Sequence, residues 1–216
     1  IAFVRTAKPI AALLTLLGIV SLFGMSYSVL MPIFADQILH AGPKGLGTLM
    51  GFSGVGALCG ALTLLMKKEL KGLGRWIMLA CGGFGVSIMA FSQTHNLRFG
   101  SVFLVLAGFC MMLQMSSSNT LVQSMSPDAL RGRVMALYSM MFMGMAPLGS
   151  LLAGTVANHL GAPMTVALGG SACVLAAVAF GFALPRIRPH ARRLIVAQQA
   201  EAGAPAQQIT GSLPVK

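Results

Sequence analysis

Six long apolar stretches run along the chain, separated by short polar breaks. They cover residues 9–34, 46–66, 76–94, 99–122, 134–156 and 163–184, and none holds a formal charge. A helix crosses a bilayer with about 20 mostly apolar residues. The runs are apolar at odd and even positions alike, unlike the alternation of a membrane barrel strand. Helices also satisfy their own backbone hydrogen bonds in lipid. The pattern predicts an all-α membrane protein with six transmembrane helices. The fourth run is the most dilute, because Gln114, Ser116, Ser117, Ser118 and Asn119 fall near its end.

Charge orients these spans. All but two of the 15 Lys and Arg residues lie on alternate breaks or at the ends. Arg5 and Lys8 precede the first span, and Lys67, Lys68, Lys71 and Arg75 separate the second from the third. Arg131 and Arg133 separate the fourth from the fifth. Arg186, Arg188, Arg192 and Arg193 follow the sixth, and Lys216 ends the chain. Lys44 and Arg98 lie on the other side. The positive-inside rule makes the rich side cytoplasmic, so both ends of the segment are expected inside.

Composition narrows the class. Hydrophobic residues make up 56% and charged residues 9%, with a mean hydropathy of +0.82. Soluble domains carry roughly 25% charged residues, and a soluble fold could not hide this much apolar surface. The formal charge of +11 does not point to nucleic acid. The bases sit in short blocks beside apolar runs, not on a basic face with interleaved aromatics. Cys59, Cys81, Cys110 and Cys173 lie inside apolar stretches without metal-ligand spacing. They read as free thiols, and neither a metal nor a cofactor is expected. The chain opens on Ile1, and its basic start precedes an apolar run too long for a signal core. It reads as a piece of a longer chain.

Small residues suggest how the spans pack, because in lipid they let backbones approach. Gly47 and Gly51 stand four apart in the second span, as do Gly56 and Gly60. Ser150 and Gly154 continue a stripe from Ala146 in the fifth, beside Pro147. Glycine is a weak helix former, so this load serves either close packing or the bending of helices in a conformational cycle. A methionine cluster over residues 135–145 suits core and lipid contacts or an adaptable pocket.

At about 100° per residue, Ser116, Asn119 and Gln123 share one face of the fourth span. Gln114 and Ser118 share the opposite one. Buried amides without partners are costly, so these groups bond to neighbouring helices or line a wet cavity. The substrate-pocket candidates are Tyr27, Gln114, Ser118, Asn119 and Gln123. No Asp, Glu, Lys or Arg lies mid-span, where proton relays and ion sites usually sit. Asp36 and His159 lie only at span ends.

One enzyme motif occurs. Gly51-Phe52-Ser53-Gly54 matches the GxSG serine motif of rhomboid intramembrane proteases. That chemistry needs a base within reach of the serine. His40, His95, His159 and His190 all lie in loops, at span ends or in the tail. No catalytic residue is assigned, and the chain is not read as an enzyme.

Residues 124–133 read Ser-Met-Ser-Pro-Asp-Ala-Leu-Arg-Gly-Arg. Ser126 is placed to cap a helix, with Pro127 in its first turn and Asp128 near its positive end. The segment is either a capped helix with basic anchors or a cytoplasmic latch. A latch would use Asp128, Arg131 and Arg133 in one conformation only.

The same residues carry a resemblance. Ser126-Pro127-Asp128, then Arg131-Gly132-Arg133-Val134-Met135-Ala136-Leu137-Tyr138, then Pro147-Leu148-Gly149-Ser150-Leu151-Leu152-Ala153-Gly154 resemble the major facilitator superfamily. They look most like the bacterial branch that holds the enterobactin exporter and macrolide efflux permeases. In that branch a P-x-x-x-R-G-R-V loop leads into an eleventh helix with a P-x-G-x-x-x-x-G pattern. Arg5-Thr6 is similar to the basic lead-in of the seventh helix. The stretch from Lys67 to Arg75 keeps the bases of a loop the superfamily repeats, but Glu69 is out of place. That loop therefore reads as a basic anchor.

The resemblance implies a twelve-helix transporter whose two halves rock around a midplane site. This chain would be the C-terminal half, with spans one, two, four and five bordering the path and three and six supporting it. The implied function is efflux of a small amphipathic organic molecule across a bacterial inner (plasma) membrane by alternating access, coupled to protons. The implied partners are the bilayer, an N-terminal six-helix half, the substrate and protons. A six-span scaffold or subunit without transport is the alternative. The expected organisation is a cytoplasmic lead-in over 1–8, a six-helix half-transporter over 9–184 and a cytoplasmic, disordered tail over 185–216. Residues 186–193 would anchor beside anionic headgroups.

Overall fold

The computed structural model describes residues 7–66 and 72–201, the side chains of Arg193 and residues 197–201 excepted. Arg5, Lys67, Lys68, Glu69, Lys71, Lys216 and the tail beyond 201 lie outside the described residues. Six helices are long and apolar enough to cross a membrane. They are α1 (Lys8–Ile38), α2 (Gly42–Met66), α3 (Leu73–Ser92), α4 (Leu97–Ser124), α5 (Asp128–Leu160) and α6 (Ala162–Glu201). No strand occurs among the described residues. The chain is an all-α, multi-pass membrane protein, as its apolar runs predict.

The described connections are short, so consecutive helices run antiparallel. Asn96 caps α4 by accepting a hydrogen bond from the Arg98 amide at 3.0 Å. A single residue, Gly161, joins α5 to α6 at φ 82°. A side chain there would strain the backbone.

α2 packs along α4, α4 along α3, and α3 along α6. α1 lies against α6 and α5. Burial separates two roles. The most apolar window of α1 is 61% buried and that of α5 only 11%. α1 is therefore the centre of the bundle, while α2 and α5 present most of their surface outward. Tyr27 meets Phe84 edge-on at 5.9 Å, and Phe34 meets Phe91 at 4.8 Å, tying α1 to α3.

Glycines set the closest approaches. A Cβ on Gly56 would collide with the Val105 carbonyl, and one on Gly108 with the Ser53 carbonyl. One on Gly60 would lie 2.7 Å from the Phe109 carbonyl. The α2–α4 seam is thus backbone on backbone. Gly47, Gly51 and Gly154 face open space within the chain, and Ser150 donates to the Ala146 carbonyl of its own helix. The expected stripe therefore divides, with Gly56 and Gly60 inside the bundle and the others on its outward surface.

Two local expectations are corrected. α6 does not end at Leu184 but runs through Pro185 and Pro189 to Glu201. The reason is an apolar stripe that continues past the prolines, with Ala191 and Leu194 packed on the core and Ile195 buried in it. Ser126 does not cap α5. Pro127 occupies the cap position, and the Ser126 hydroxyl donates back to the Val122 carbonyl at 2.7 Å, closing α4. A feature that the apolar pattern does not show is that π-helical turns interrupt the first and fifth spans.

Gly108→Val is expected to destabilise the protein by about 1–3 kcal/mol through overpacking. Gly51→Ala should change stability by no more than about 0.5 kcal/mol. Thermal unfolding of both variants in detergent checks the difference.

Candidate functional site

Pro147 has no N–H to offer the Met143 carbonyl one turn back, and its ring crowds that carbonyl. The π turn Met140–Gly144 lies immediately before the helical segment that holds Pro147 and widens the backbone there. α1 carries a matching turn at Val20–Gly24. The two meet, because the Ser21 hydroxyl donates to the Phe142 carbonyl.

The α1 turn is seated residue by residue. The Leu22 carbonyl lies against Gly149 of α5, and the Phe23 carbonyl against Gly169 of α6. Neither glycine has room for a Cβ. A Cβ on Gly24 would sit 2.7 Å from Phe84 Cε1 and 3.0 Å from Cys173 Sγ. A backbone fault in α1 is therefore enclosed by α3, α5 and α6, away from lipid. A second π turn of α1, Phe34–Ile38, follows Pro32 near its other end. There the Leu39 amide reaches the Phe34 carbonyl at 2.8 Å.

The five pocket candidates fall into three environments. Tyr27 is buried, with Ser53 of α2 as its hydrogen-bonding neighbour. Gln114 and Ser118 are buried in the bundle together with Ser117. Gln114 Nε2 and both serine hydroxyls meet no partner among the described residues. Asn119 and Gln123 lie on another side of α4, where Gln123 Nε2 donates to Asn119 Oδ1 at 2.5 Å. Gln123 is exposed. That pair keeps unused donors and acceptors, so it can still bond to a passing molecule.

The latch candidates form a local contact. Arg131 Nη2 lies 2.6 Å from Asp128 Oδ1 within the first turn of α5, with both side chains well exposed. Arg133 is exposed beside them. Among the described residues the ion pair stays within α5. An open cavity of about 250 Å³ lies between α2 and α4, lined by Thr48, Phe52, Leu97, Arg98, Ser101, Val102 and Val105. It is apolar except for Arg98 and two hydroxyls, and it sits at the opposite end of α4 from Gln123.

Sequence reasoning missed Ser21 and Tyr138, whose hydroxyl donates to the Met115 carbonyl of α4 at 2.9 Å. A serine or tyrosine in an apolar run does not reveal a partner more than 20 positions away. Gly149 had a signal, since it is the glycine of the proline-glycine pattern in the fifth span.

Residues 1–210 match the family described as transmembrane secretion effector, within the major facilitator superfamily. The chain belongs to that family. It is also similar to the Staphyloferrin A transporter of Staphylococcus aureus (strain NCTC 8325 / PS 47), at 27% identity over 161 residues. That alignment covers 74% of this chain and 40% of the relative. This secretion-effector chain thus spans well under half of that relative's length.

Ser21→Ala removes the bond between the two π turns. The expected loss is roughly 0.6 kcal/mol, with about 1.7 kcal/mol as the upper end for such bonds in membranes. Unfolding in mixed micelles measures it. Asp128→Asn should shift stability by less than about 0.5 kcal/mol, because the ion pair is exposed and local. Melting curves at low and high salt check that.

Proposed function

We propose that this chain is one half of an alternating-access exporter. It moves a small amphipathic organic molecule out across a bacterial inner membrane in exchange for protons. One observation carries the reading: α1 and α5 each contain a π turn, and Ser21 and Phe142 join the two. Helices bend at such faults. Two adjacent faults tied by a hydrogen bond and seated on glycines let α1 and α5 bend together without stranding a backbone group in lipid. Such coordinated bending is a way to gate one half against another around a midplane site.

The side chains around the path suit an amphipathic cargo. Met140 and Met143 are largely exposed on the α5 turn and can repack around varied apolar shapes. Asn119 and Gln123 add directional hydrogen bonds on α4. The relative named for Staphyloferrin A makes a siderophore the first substrate to test. The spans of this chain hold no mid-membrane carboxylate or histidine, so the proton-coupling group belongs to the other half. The arginine-rich side is cytoplasmic in this reading, and Arg131 serves a latch that re-pairs during the cycle.

The test is siderophore uptake into inverted membrane vesicles that contain the complete transporter, driven by an imposed pH gradient. Accumulation should collapse with a protonophore. Asn119→Leu combined with Gln123→Leu should raise KM about tenfold, the cost of roughly one hydrogen bond. Arg131→Ala should slow transport at unchanged membrane abundance. Gradient-independent accumulation would refute proton coupling, and wild-type rates for Arg131→Ala would refute the latch. A complete lack of vesicle transport for siderophores and amphipathic drugs alike would favour the scaffold reading.

A further inference from the structure

The cavity between the starts of α2 and α4 is a site that the transport reading does not use. The two helices run parallel and close at Gly56, where a Cβ would collide with the Val105 carbonyl. Towards their starts they part, leaving about 250 Å³ between Thr48 and Phe52 on one side and Arg98, Ser101, Val102 and Val105 on the other. The lining is ordered by depth. Arg98 and Thr48 lie near the helix starts, and Phe52 and Val105 lie about one to two turns further along. The result is a wedge with a polar rim and an apolar floor, roughly 10 Å deep from Arg98 to Val105 at 1.5 Å per residue.

Hydrogen-bond accounting leaves one open donor group in this wedge. The Thr48 hydroxyl donates to the Lys44 carbonyl at 2.8 Å, and the Ser101 hydroxyl to the Leu97 carbonyl at 2.8 Å. The Arg98 guanidinium meets no acid or acceptor among the described residues. Asp36, the only acid on that side of the bundle, forms no ion pair with it. A guanidinium presents a planar fork of N–H groups that matches a carboxylate or phosphate. One such group above an apolar floor matches an amphiphile with one anionic head. The closed lower end and the small volume, under the roughly 300–1,000 Å³ of drug-sized pockets, suit a short apolar body and leave no room for two acyl chains.

The position of Arg98 on α4 is also informative. At about 100° per residue, Arg98 and Val105 share the face of α4 that carries Asn119 and Gln123. α4 runs unbroken between them, so the two polar ends of this stripe stand roughly 38 Å apart along the helix. We infer that the wedge is a second binding site, for a compact amphiphile with a singly charged carboxylate or phosphate head. Arg98 takes the head, and Phe52, Val102 and Val105 cover the apolar body. That this ligand is cargo rests on the transport reading, whereas its binding does not.

The test is photolabelling of the complete transporter in phosphatidylcholine nanodiscs by decanoate with a diazirine near its chain end. Label should concentrate in residues 48–52 and 97–105, and unlabelled decanoate should compete at least tenfold better than decanol, the expected gain from one charge-assisted contact. Arg98→Gln should cut labelling about tenfold, and Arg98→Lys should restore part of it. Val102→Trp, at an exposed position that fills the wedge, should cut it as well, whereas Arg186→Gln at the arginine-rich end should not. Unchanged labelling of Arg98→Gln, or equal competition by decanol, would overturn the inference. Label spread evenly along α2 and α4 would overturn it too. Displacement by equimolar phosphatidylglycerol but not by decanoate would assign the wedge to membrane lipid and overturn it as well. Labelling needs no transport, so a protein that binds the probe without moving cargo would refute the transport reading alone.

Discussion

Backbone pairing in a medium without water is the constraint on which this structure depends. Each amide and carbonyl at membrane depth needs a partner inside the protein. Continuous helices meet that demand alone, and most of the chain takes this solution. α1 and α5 do not, since π turns interrupt both. The faults survive because they are placed against each other and against glycines. Ser21 reaches a carbonyl of the α5 turn, and Gly149 and Gly169 let neighbouring helices close over the α1 turn.

The same constraint explains where the glycines lie. Leucine gains little by leaving lipid for another helix, so association rests on close van der Waals contact. Gly56, Gly60 and Gly108 bring α2 and α4 to backbone contact. Gly85 and Gly170 do the same for α3 and α6, where a Cβ on either would lie within 2.7 Å of the other's carbonyl. These seams make α2–α4 and α3–α6 firm pairs. α5 is the least enclosed helix, and one of the faults belongs to it. Firm seams thus stand beside a sparsely packed, broken helix.

Polar groups at membrane depth follow two regimes. Thr15, Thr48, Thr63 and Thr155 donate to carbonyls one turn back in their own helices, so they make no demand on neighbours. Gln114, Ser117 and Ser118 are buried without a partner among the described residues. An orphaned buried donor costs about 1–3 kcal/mol, so this part of α4 favours a partner from a neighbouring helix or from water. Asn119 and Gln123 stand apart, paired to each other and facing outward.

Element number and type were legible from local pattern alone. A run of about 20 uncharged apolar residues has one viable backbone state in lipid, wherever it later packs. The six spans, the all-helical class and the alternation of basic breaks follow from Pro9 onward without any contact being known. Long-range partners were not legible. A helical wheel put Gln114 and Asn119 on different faces, but it could not say which face was buried. Small-residue spacing marked Gly47, Gly51, Gly56 and Gly60 alike, and only the position of α4 separates the inward pair from the outward one. The last span was expected to end at Leu184, where the composition changes, and Pro185 and Pro189 each cost a helical hydrogen bond. The packing of Ala191, Leu194 and Ile195 on the core outweighs that loss. Ser21, Phe142 and Gly149 became one device only through the fold. Their meeting depends on the depth at which two interrupted helices cross, which is a property of packing and not of either helix alone.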